Sequence, residues 1–193
     1  MDTPAKPNKK LLIFSLLIFI LEFIGLVGWY WLFDGRAGDA TLTISRYVGL
    51  NWWSSIVFCL CNLAIASMLI YYLVEHAKQR GFLWRFLMYA FVISFMALSI
   101  SPHVPDESMP AKIHCFFAGV MFVTMALIGI LTFVKSQHIA TTIYAIVFTA
   151  FSVYFCFSDV LRIPEFMNLI FWFESAYIFA FFGLLILPEK TDV

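Results

Sequence analysis

Six long runs of apolar residues, separated by short polar segments, dominate the pattern of this chain. They cover residues 11–33, 52–74, 82–100, 114–134, 139–158 and 167–187. A helix needs about 20 apolar residues to cross the hydrocarbon core of a bilayer. A helix also satisfies its own backbone hydrogen bonds in lipid. The pattern therefore predicts an all-α, polytopic membrane protein, with one domain over residues 1–193 built as a bundle of six transmembrane helices.

The composition agrees with this prediction. Hydrophobic residues make up 63% of the chain and charged residues 12%, against roughly 45–50% and 25% in typical soluble proteins. A soluble domain of this size could not bury so much apolar surface. Basic residues precede the first run, as they do in signal peptides. The run is too long for a signal peptide, however, and no small-residue cleavage site follows it. We therefore expect it to be a retained helix.

The distribution of Lys and Arg predicts the orientation. Eight basic residues flank the runs on one side and four on the other, which favours cytoplasmic N- and C-termini because cytoplasmic loops carry the excess of Lys and Arg. The first set is Lys6, Lys9, Lys10, Lys78, Arg80, Arg85, Lys135 and Lys190, and the second is Arg36, Arg46, Lys112 and Arg162. The net charge is zero, so no nucleic-acid partner is expected.

Two acidic residues lie within the apolar runs, Glu22 in the first and Glu174 in the sixth. A carboxylate within a bilayer is costly unless it is paired, protonated or hydrated, so both are candidate functional residues. The alternative for Glu22 is a structural carboxyl group that hydrogen-bonds to a neighbouring helix. For Asn62, in the second run, the structural interhelical hydrogen bond is the favoured interpretation.

The densest polar segment reads S-P-H-V-P-D-E-S-M-P-A-K-I-H at residues 101–114. Two imidazoles and a carboxylate can bind zinc, which activates a bound water for attack on an ester. His103, His114 and Asp106 are therefore candidate metal ligands, and His114, Asp106 and Glu174 are candidate catalytic residues. The alternative is that His103 is solvated in a loop and His114 caps or packs a helix. The spacing matches no established zinc motif, so the cofactor is open.

Other polar residues lead to weaker expectations. Arg46 and Arg162 lie at the predicted outer headgroup level, where they could bind a lipid phosphate together with Glu22, or simply extend to the interface. Haem is not expected, because each histidine lies at a membrane edge or in a loop. The four cysteines lie in apolar runs and are expected to act as small buried hydrophobic residues; they are Cys59, Cys61, Cys115 and Cys156.

The layout resembles the bacterial and archaeal "domain of unknown function 998" family, related to FRAG–DRAM-type six-helix membrane proteins. The matching features are T-I-S-R-Y-V-G before the second run, S-P-H-V-P-D after the third, His114 opening the fourth, and Glu174 in W-F-E-S in the sixth. The resemblance implies a six-helix fold in a prokaryotic inner membrane. Some relatives of similar topology act on lipids, which favours a lipid ligand by analogy.

Three functions remain open at this point. The first is binding or modification of a membrane lipid in a polar pocket that faces the outer leaflet. The second is proton-coupled transport through Glu22 and Glu174. The third is a non-catalytic accessory role, in which the chain packs against a membrane-protein partner or another copy of itself.

Overall fold

The fold is described from a computed structural model that covers residues 9–33, 43–49, 51–76, 80–101 and 109–187. Within these ranges the chain forms eight helices and no strand. The helices are α1 (Lys10–Phe33), α2 (Ile44–Val48), α3 (Trp52–His76), α4 (Phe82–Ile100), α5 (Met109–Lys135), α6 (Ile139–Val160), α7 (Pro164–Met167) and α8 (Ile170–Ile186).

Five of these helices are long and apolar enough to cross a membrane. The qualifying segments are Lys10–Gly28, Trp52–Glu75, Phe82–Ile100, Met109–Lys135 and Ile139–Val160. The last helix, α8, is shorter, at 17 residues, and is also apolar. The all-α prediction is confirmed for the described residues, and the five long apolar helices are typical of a multi-pass membrane protein.

The helix bounds differ from the predicted runs at two places. Helix α5 begins at Met109 rather than at residue 114, because Pro110 is tolerated in the first turn, where its missing N–H would have no intrahelical partner. The run predicted at 167–187 is divided, since α7 ends at Met167 and α8 starts at Ile170. Phe166, in α7 just before this break, packs into the core, where it is fully buried.

The six longer helices form a closed ring in which each packs against its neighbours in the chain. The order is α1, α3, α4, α5, α6 and α8, and α8 closes the ring on α1. The two short helices lie at the end of the ring where α3 and α8 begin. Aromatic side chains fill the interior, and Phe181 of α8 packs against Phe91 of α4 and Phe148 of α6 with ring centroids 4.7 and 6.0 Å away.

Lys9 ties the first helix to the last. Its ammonium group donates hydrogen bonds to the carbonyl of Ile186, at 2.7 Å, and to that of Leu187. A cation at a helix C-terminus interacts favourably with the helix dipole. Burial lowers the pKa of Lys9, and the nearby charge of Arg80 lowers it further. The turn between α3 and α4 also approaches α5. A Cβ on Gly81, in that turn, would lie 3.1 Å from Nζ of Lys135, at the end of α5.

Gly129 sets the approach of α5 to α6, and its replacement by Val is expected to destabilise the bundle. A Cβ at Gly129 would lie 2.7 Å from Cδ1 of Phe148, whereas a Cβ at Gly119, on the same helix, would have nothing within 4 Å. Helix propensity changes equally at both positions, so the difference between the variants reports packing. We expect Gly129→Val to lower the free energy of unfolding by about 1–3 kcal/mol more than Gly119→Val, measured by unfolding in detergent. Equal losses would contradict this close approach.

Candidate functional site

A small cavity of about 60 Å³ lies within the ring, at the end covered by α2. Most of its lining is apolar, but five helices each contribute one polar side chain. These are Ser45 of α2, Asn62 of α3, Ser99 of α4, His114 of α5 and Glu174 of α8. A space of this volume can hold water or a small polar group. Convergence of polar groups from five helices on an otherwise apolar cavity is typical of a binding site.

Glu174 holds the short helix α2 over the cavity. One carboxyl oxygen, Oε2, accepts a hydrogen bond of 2.7 Å from the backbone N–H of Ile44, the first residue of α2. That N–H has no partner within its own helix, because it belongs to the first turn. Ile44 and Val48 are both buried. Glu174 therefore positions the beginning of α2 and lines the cavity beneath it.

The other end of α2 is held by serines of α3. The Ser54 hydroxyl donates to the Val48 carbonyl at 2.7 Å, and the Ser55 hydroxyl donates to the same carbonyl at 3.2 Å. The last carbonyls of a helix lack intrahelical donors, and these hydroxyls supply them. Because α2 is attached at both ends, to α8 and to α3, its position depends on how those two helices are arranged.

His114 is buried, and a backbone contact orients its ring. Its Nδ1 lies 2.6 Å from the carbonyl oxygen of Ser101, the C-cap of α4. A carbonyl can only accept, so Nδ1 carries a proton and donates it to Ser101. This bond ties α5 to the end of α4 and orients the imidazole at the cavity.

Glu22 and Asn62 form a polar pair between α1 and α3. Asn62 Nδ2 donates to Glu22 Oε1 at 3.4 Å, which is long for an N–H···O bond. Both residues are buried, with Glu22 5% exposed and Asn62 fully enclosed. Within the described part of the chain, neither Glu22 Oε2 nor Asn62 Oδ1 has a hydrogen-bond partner. The favoured interhelical hydrogen bond of Asn62 is present, but it leaves two buried acceptor oxygens unsatisfied.

A cleft of about 260 Å³ between α3 and α4 adjoins the cavity. The two spaces share four lining residues, Ser45, Phe58, Leu98 and Ser99. At its outer edge the cleft is bordered by Ile56 and Ile100, whose side chains are exposed on the outside of the ring. The cavity thus has a neighbouring opening towards the lateral, apolar surface of the bundle.

A larger groove of about 550 Å³ lies on the outside of the ring between α1 and α3. Its lining is almost entirely apolar, and Glu22 is its one acidic residue. Gly25 leaves it open, because a Cβ there would have nothing within 4 Å. The Glu22–Asn62 pair separates this groove from the cavity, since Glu22 lines the first and Asn62 the second.

The predicted site residues are only partly brought together. His114 and Glu174 line the same cavity, and Glu22 contacts it through Asn62. The side chains of Arg46, on α2, and Arg162, after α6, are exposed and belong to neither the cavity nor the cleft. Arg162 has a positive φ of 53°, so it terminates α6 in a left-handed turn.

The predicted metal site lies largely outside the described residues, since His103 and Asp106 both belong to the segment 102–108. Among the residues that the structure does describe, no three His, Cys, Asp or Glu side chains are close enough to hold a metal ion. The zinc set of His103, Asp106 and His114 stays a prediction.

Sequence reasoning did not identify the polar roles of Ser45 and Ser99. Ser99 donates to the Phe95 carbonyl one turn earlier, at 2.7 Å, as serines within apolar helices commonly do. Nothing in the sequence distinguishes Ser99 from the other serines of the apolar runs. The segment around Ser45 was recognised only as a motif, without its contact to Glu174.

Comparisons with known proteins add no relative. A scan against protein-family models found no match, and searches of curated proteins and of solved structures found none. The resemblance to the "domain of unknown function 998" family therefore stays a prediction, and the functional argument depends on the cavity itself.

Proposed function

We propose that this protein is a six-span membrane protein that binds a single-chain amphiphile, with the polar group in the cavity and the chain in the cleft between α3 and α4. The observation that carries the proposal is that the two spaces adjoin and share four lining residues, Ser45, Phe58, Leu98 and Ser99. A cavity that holds five polar side chains, beside an apolar lateral opening, matches the two ends of an amphiphile.

The contact between Lys9 and the end of α8 supports six spans. Because the start of α1 meets Ile186 and Leu187, both lie at one end of the bundle, which requires an even number of crossings. Five helices qualify as spans by length, and α8 completes an even number. The basic residues Lys9, Arg80 and Lys135 gather at this end, which favours a cytoplasmic location for both termini and, with it, a cavity in the outer half of the bilayer.

The volumes of the cavity and the cleft favour a ligand with one hydrocarbon chain over a ligand with two. Ligand pockets commonly enclose about 300–1,000 Å³. The cavity, at about 60 Å³, and the cleft, at about 260 Å³, together reach only the lower end of that range. A diacyl lipid would leave its second chain without a place in the cavity or the cleft.

Filling the cavity at Ala118 should prevent binding. Ala118 lines the cavity, and Ala118→Leu adds three carbon atoms to a space of about 60 Å³. The matched control is Gly119→Leu, at the next, exposed position, where a Cβ would have nothing within 4 Å. We expect a long-chain alcohol carrying a photoreactive diazirine to cross-link to the cleft residues of α3 and α4 in the wild type and in Gly119→Leu. Cross-linking should fall at least fivefold in Ala118→Leu.

The cross-linked positions decide the outcome. Mass spectrometry of the labelled protein in lipid nanodiscs should place the label between Ser55 and Cys59 and near Leu98. Label spread evenly over all lipid-facing helices, or equal labelling of the three proteins, would contradict a defined amphiphile site.

A further inference from the structure

The end of the bundle that carries Lys9 has an excess of positive charge. Among the described residues at the helix ends and turns there, one carboxylate, Glu75, accompanies five cations, which are Lys9, Lys10, Arg80, Arg85 and Lys135. At the opposite end the described helix ends and turns carry three cations and two acids, which are Arg46, Lys112, Arg162, Asp159 and Glu165. One carboxylate can neutralise one cation, so the Lys9 end keeps an excess of four positive charges and attracts anions.

Three of these cations converge on the turn between α3 and α4. Arg80 lies in this turn. Burial lowers the pKa of Lys9, and the charge of Arg80 lowers it further, so these two cations are close enough to repel each other. Next to Arg80, a Cβ on Gly81 would lie 3.1 Å from Nζ of Lys135. Cations from three separate segments of the chain therefore surround one turn, where a bound anion would relieve their repulsion.

Contacts within the fold orient two of the three cations. The guanidinium of Arg80 lies over the ring of Trp84, with Cζ 4.8 Å from the ring centroid, and it donates a hydrogen bond to the Tyr72 hydroxyl. Lys9 uses two of its three N–H groups on backbone carbonyls at the end of α8. Both side chains are only partly buried. Groups that are held in place before binding lose little conformational freedom when a ligand arrives.

Exposed apolar side chains lie directly beside these cations. Phe82 follows the turn, Val134 precedes Lys135, and both are exposed. Phe86, one turn further along α4, is also exposed and stacks with Phe82, with ring centroids 6.4 Å apart. A ligand at this end of the bundle can therefore contact cations and an apolar surface side by side, as a lipid does at the boundary between head groups and acyl chains.

From this arrangement we infer a lipid site in which Lys9, Arg80 and Lys135 bind the phosphate group of an anionic phospholipid. Arg binds phosphate through paired N–H groups, and Lys binds it as a point charge. The acyl chains lie on the exposed apolar side chains beside the cations. A soluble phosphate would not use that surface, and a zwitterionic lipid carries a cation of its own that offsets the attraction. The site lies at the opposite end of the bundle from the cavity and does not depend on the amphiphile proposed there.

Native mass spectrometry of the protein in detergent tests this site with two phospholipids that have identical acyl chains. Phosphatidylglycerol carries a net negative charge, and phosphatidylcholine carries none. We expect the first molecule of phosphatidylglycerol to bind with an affinity at least about tenfold higher than that of phosphatidylcholine. An excess of inorganic phosphate should displace it no more than chloride of the same ionic strength does, because a phosphate ion does not contact the apolar surface.

The variants Lys135→Gln and Lys112→Gln form a matched pair. Both lysines are exposed on α5, at opposite ends of the helix, so the two variants change the net charge equally, but Lys135 borders the turn. A cation near the membrane surface contributes about fivefold to the binding of an anionic lipid, so Lys135→Gln should weaken phosphatidylglycerol by about this factor. Adding Arg80→Gln should reduce its affinity to that of phosphatidylcholine. Lys112→Gln should bind as the wild type does.

Equal affinities of the two lipids for the wild type would overturn the site. Equal losses in Lys135→Gln and Lys112→Gln would overturn it as well, because they would show that net charge alone attracts the lipid. Displacement by inorganic phosphate beyond the effect of chloride would overturn the lipid assignment and assign the three cations to a soluble phosphate ligand.

Discussion

Replacing Glu174 by Ala is expected to reduce cross-linking by the long-chain alcohol probe about 10- to 100-fold. The carboxyl group lines the cavity and accepts the N–H of Ile44 at the start of α2. Its removal leaves that buried donor without a partner and takes the carboxyl group out of the cavity. Leaving a buried donor unsatisfied costs about 1–3 kcal/mol, and a loss of this size corresponds to roughly 5- to 150-fold in affinity.

A second variant at the same position separates the two roles of Glu174. Glu174→Gln keeps an acceptor oxygen for Ile44 and replaces the carboxyl group by an amide. We expect α2 to stay in place in this variant, and cross-linking by the alcohol to fall less than in Glu174→Ala. The position of α2 can be followed by thiol labelling of Ser45→Cys after the four native cysteines are replaced by Ala. Labelling should accelerate with Glu174→Ala and stay slow with Glu174→Gln. If both variants label at the same rate, Glu174 does not hold α2.

Phe181→Ala is expected to cause the largest loss of stability in the bundle. Phe181 is fully buried where α4, α6 and α8 meet, with its ring against Phe91 and Phe148. In a membrane the core is no more apolar than lipid, so the transfer of the ring contributes little. The main cost is the void that the missing ring leaves. At about 24 cal/mol per Å³ of void, the loss of roughly 100 Å³ of side-chain volume costs about 2–3 kcal/mol. Lost ring pairing adds about 0.5–1.5 kcal/mol.

The matched control for Phe181 is Phe157→Ala on α6. The Phe157 side chain is 63% exposed on the outside of the ring, where lipid or detergent replaces the lost contacts. The free energy of unfolding of Phe157→Ala should differ from that of the wild type by less than about 0.5 kcal/mol. Both variants can be compared by unfolding in the same detergent. Similar losses for the two would mean that the interior of the ring is not packed more tightly than its surface.

Much of the architecture could be predicted because lipid imposes a simple constraint on sequence. A span must be apolar over about 20 residues, so four of the five long helices were predicted to within two residues of their observed bounds, and α5 begins five residues before its predicted run. The break between Met167 and Ile170 escaped prediction because both sides of it are apolar, and hydropathy does not sense a turn inside a hydrophobic run. Pro164 was the only local signal, since proline is favoured in the first turn of a helix.

The candidate site was predictable to a smaller extent. Glu22, Asn62 and Glu174 stood out because polar side chains are costly in apolar runs. Their partners did not, because contacts such as Glu174 with Ile44 join residues 130 positions apart and depend on how the ring closes. The serines and the backbone carbonyl that complete the site carry no distinctive pattern. Arg46 and Arg162 were chosen by their level in the membrane, and level alone does not determine whether a side chain lines a cavity.

The closure of the ring by its first and last helices has a consequence for biosynthesis. Phe19 and Phe23 of α1 pack edge-to-face against Phe179 of α8, with ring centroids 4.9 and 5.5 Å away. Lys9 is separated from its partner Ile186 by 177 positions. At about 5–20 residues per second, a ribosome needs roughly 9–35 s to make that stretch. Throughout this time the aromatic face of α1 is in contact with lipid or with insertion factors. The partly synthesised chain therefore exposes an aromatic helix face that has no partner helix yet, and the rate of synthesis determines how long this face stays exposed.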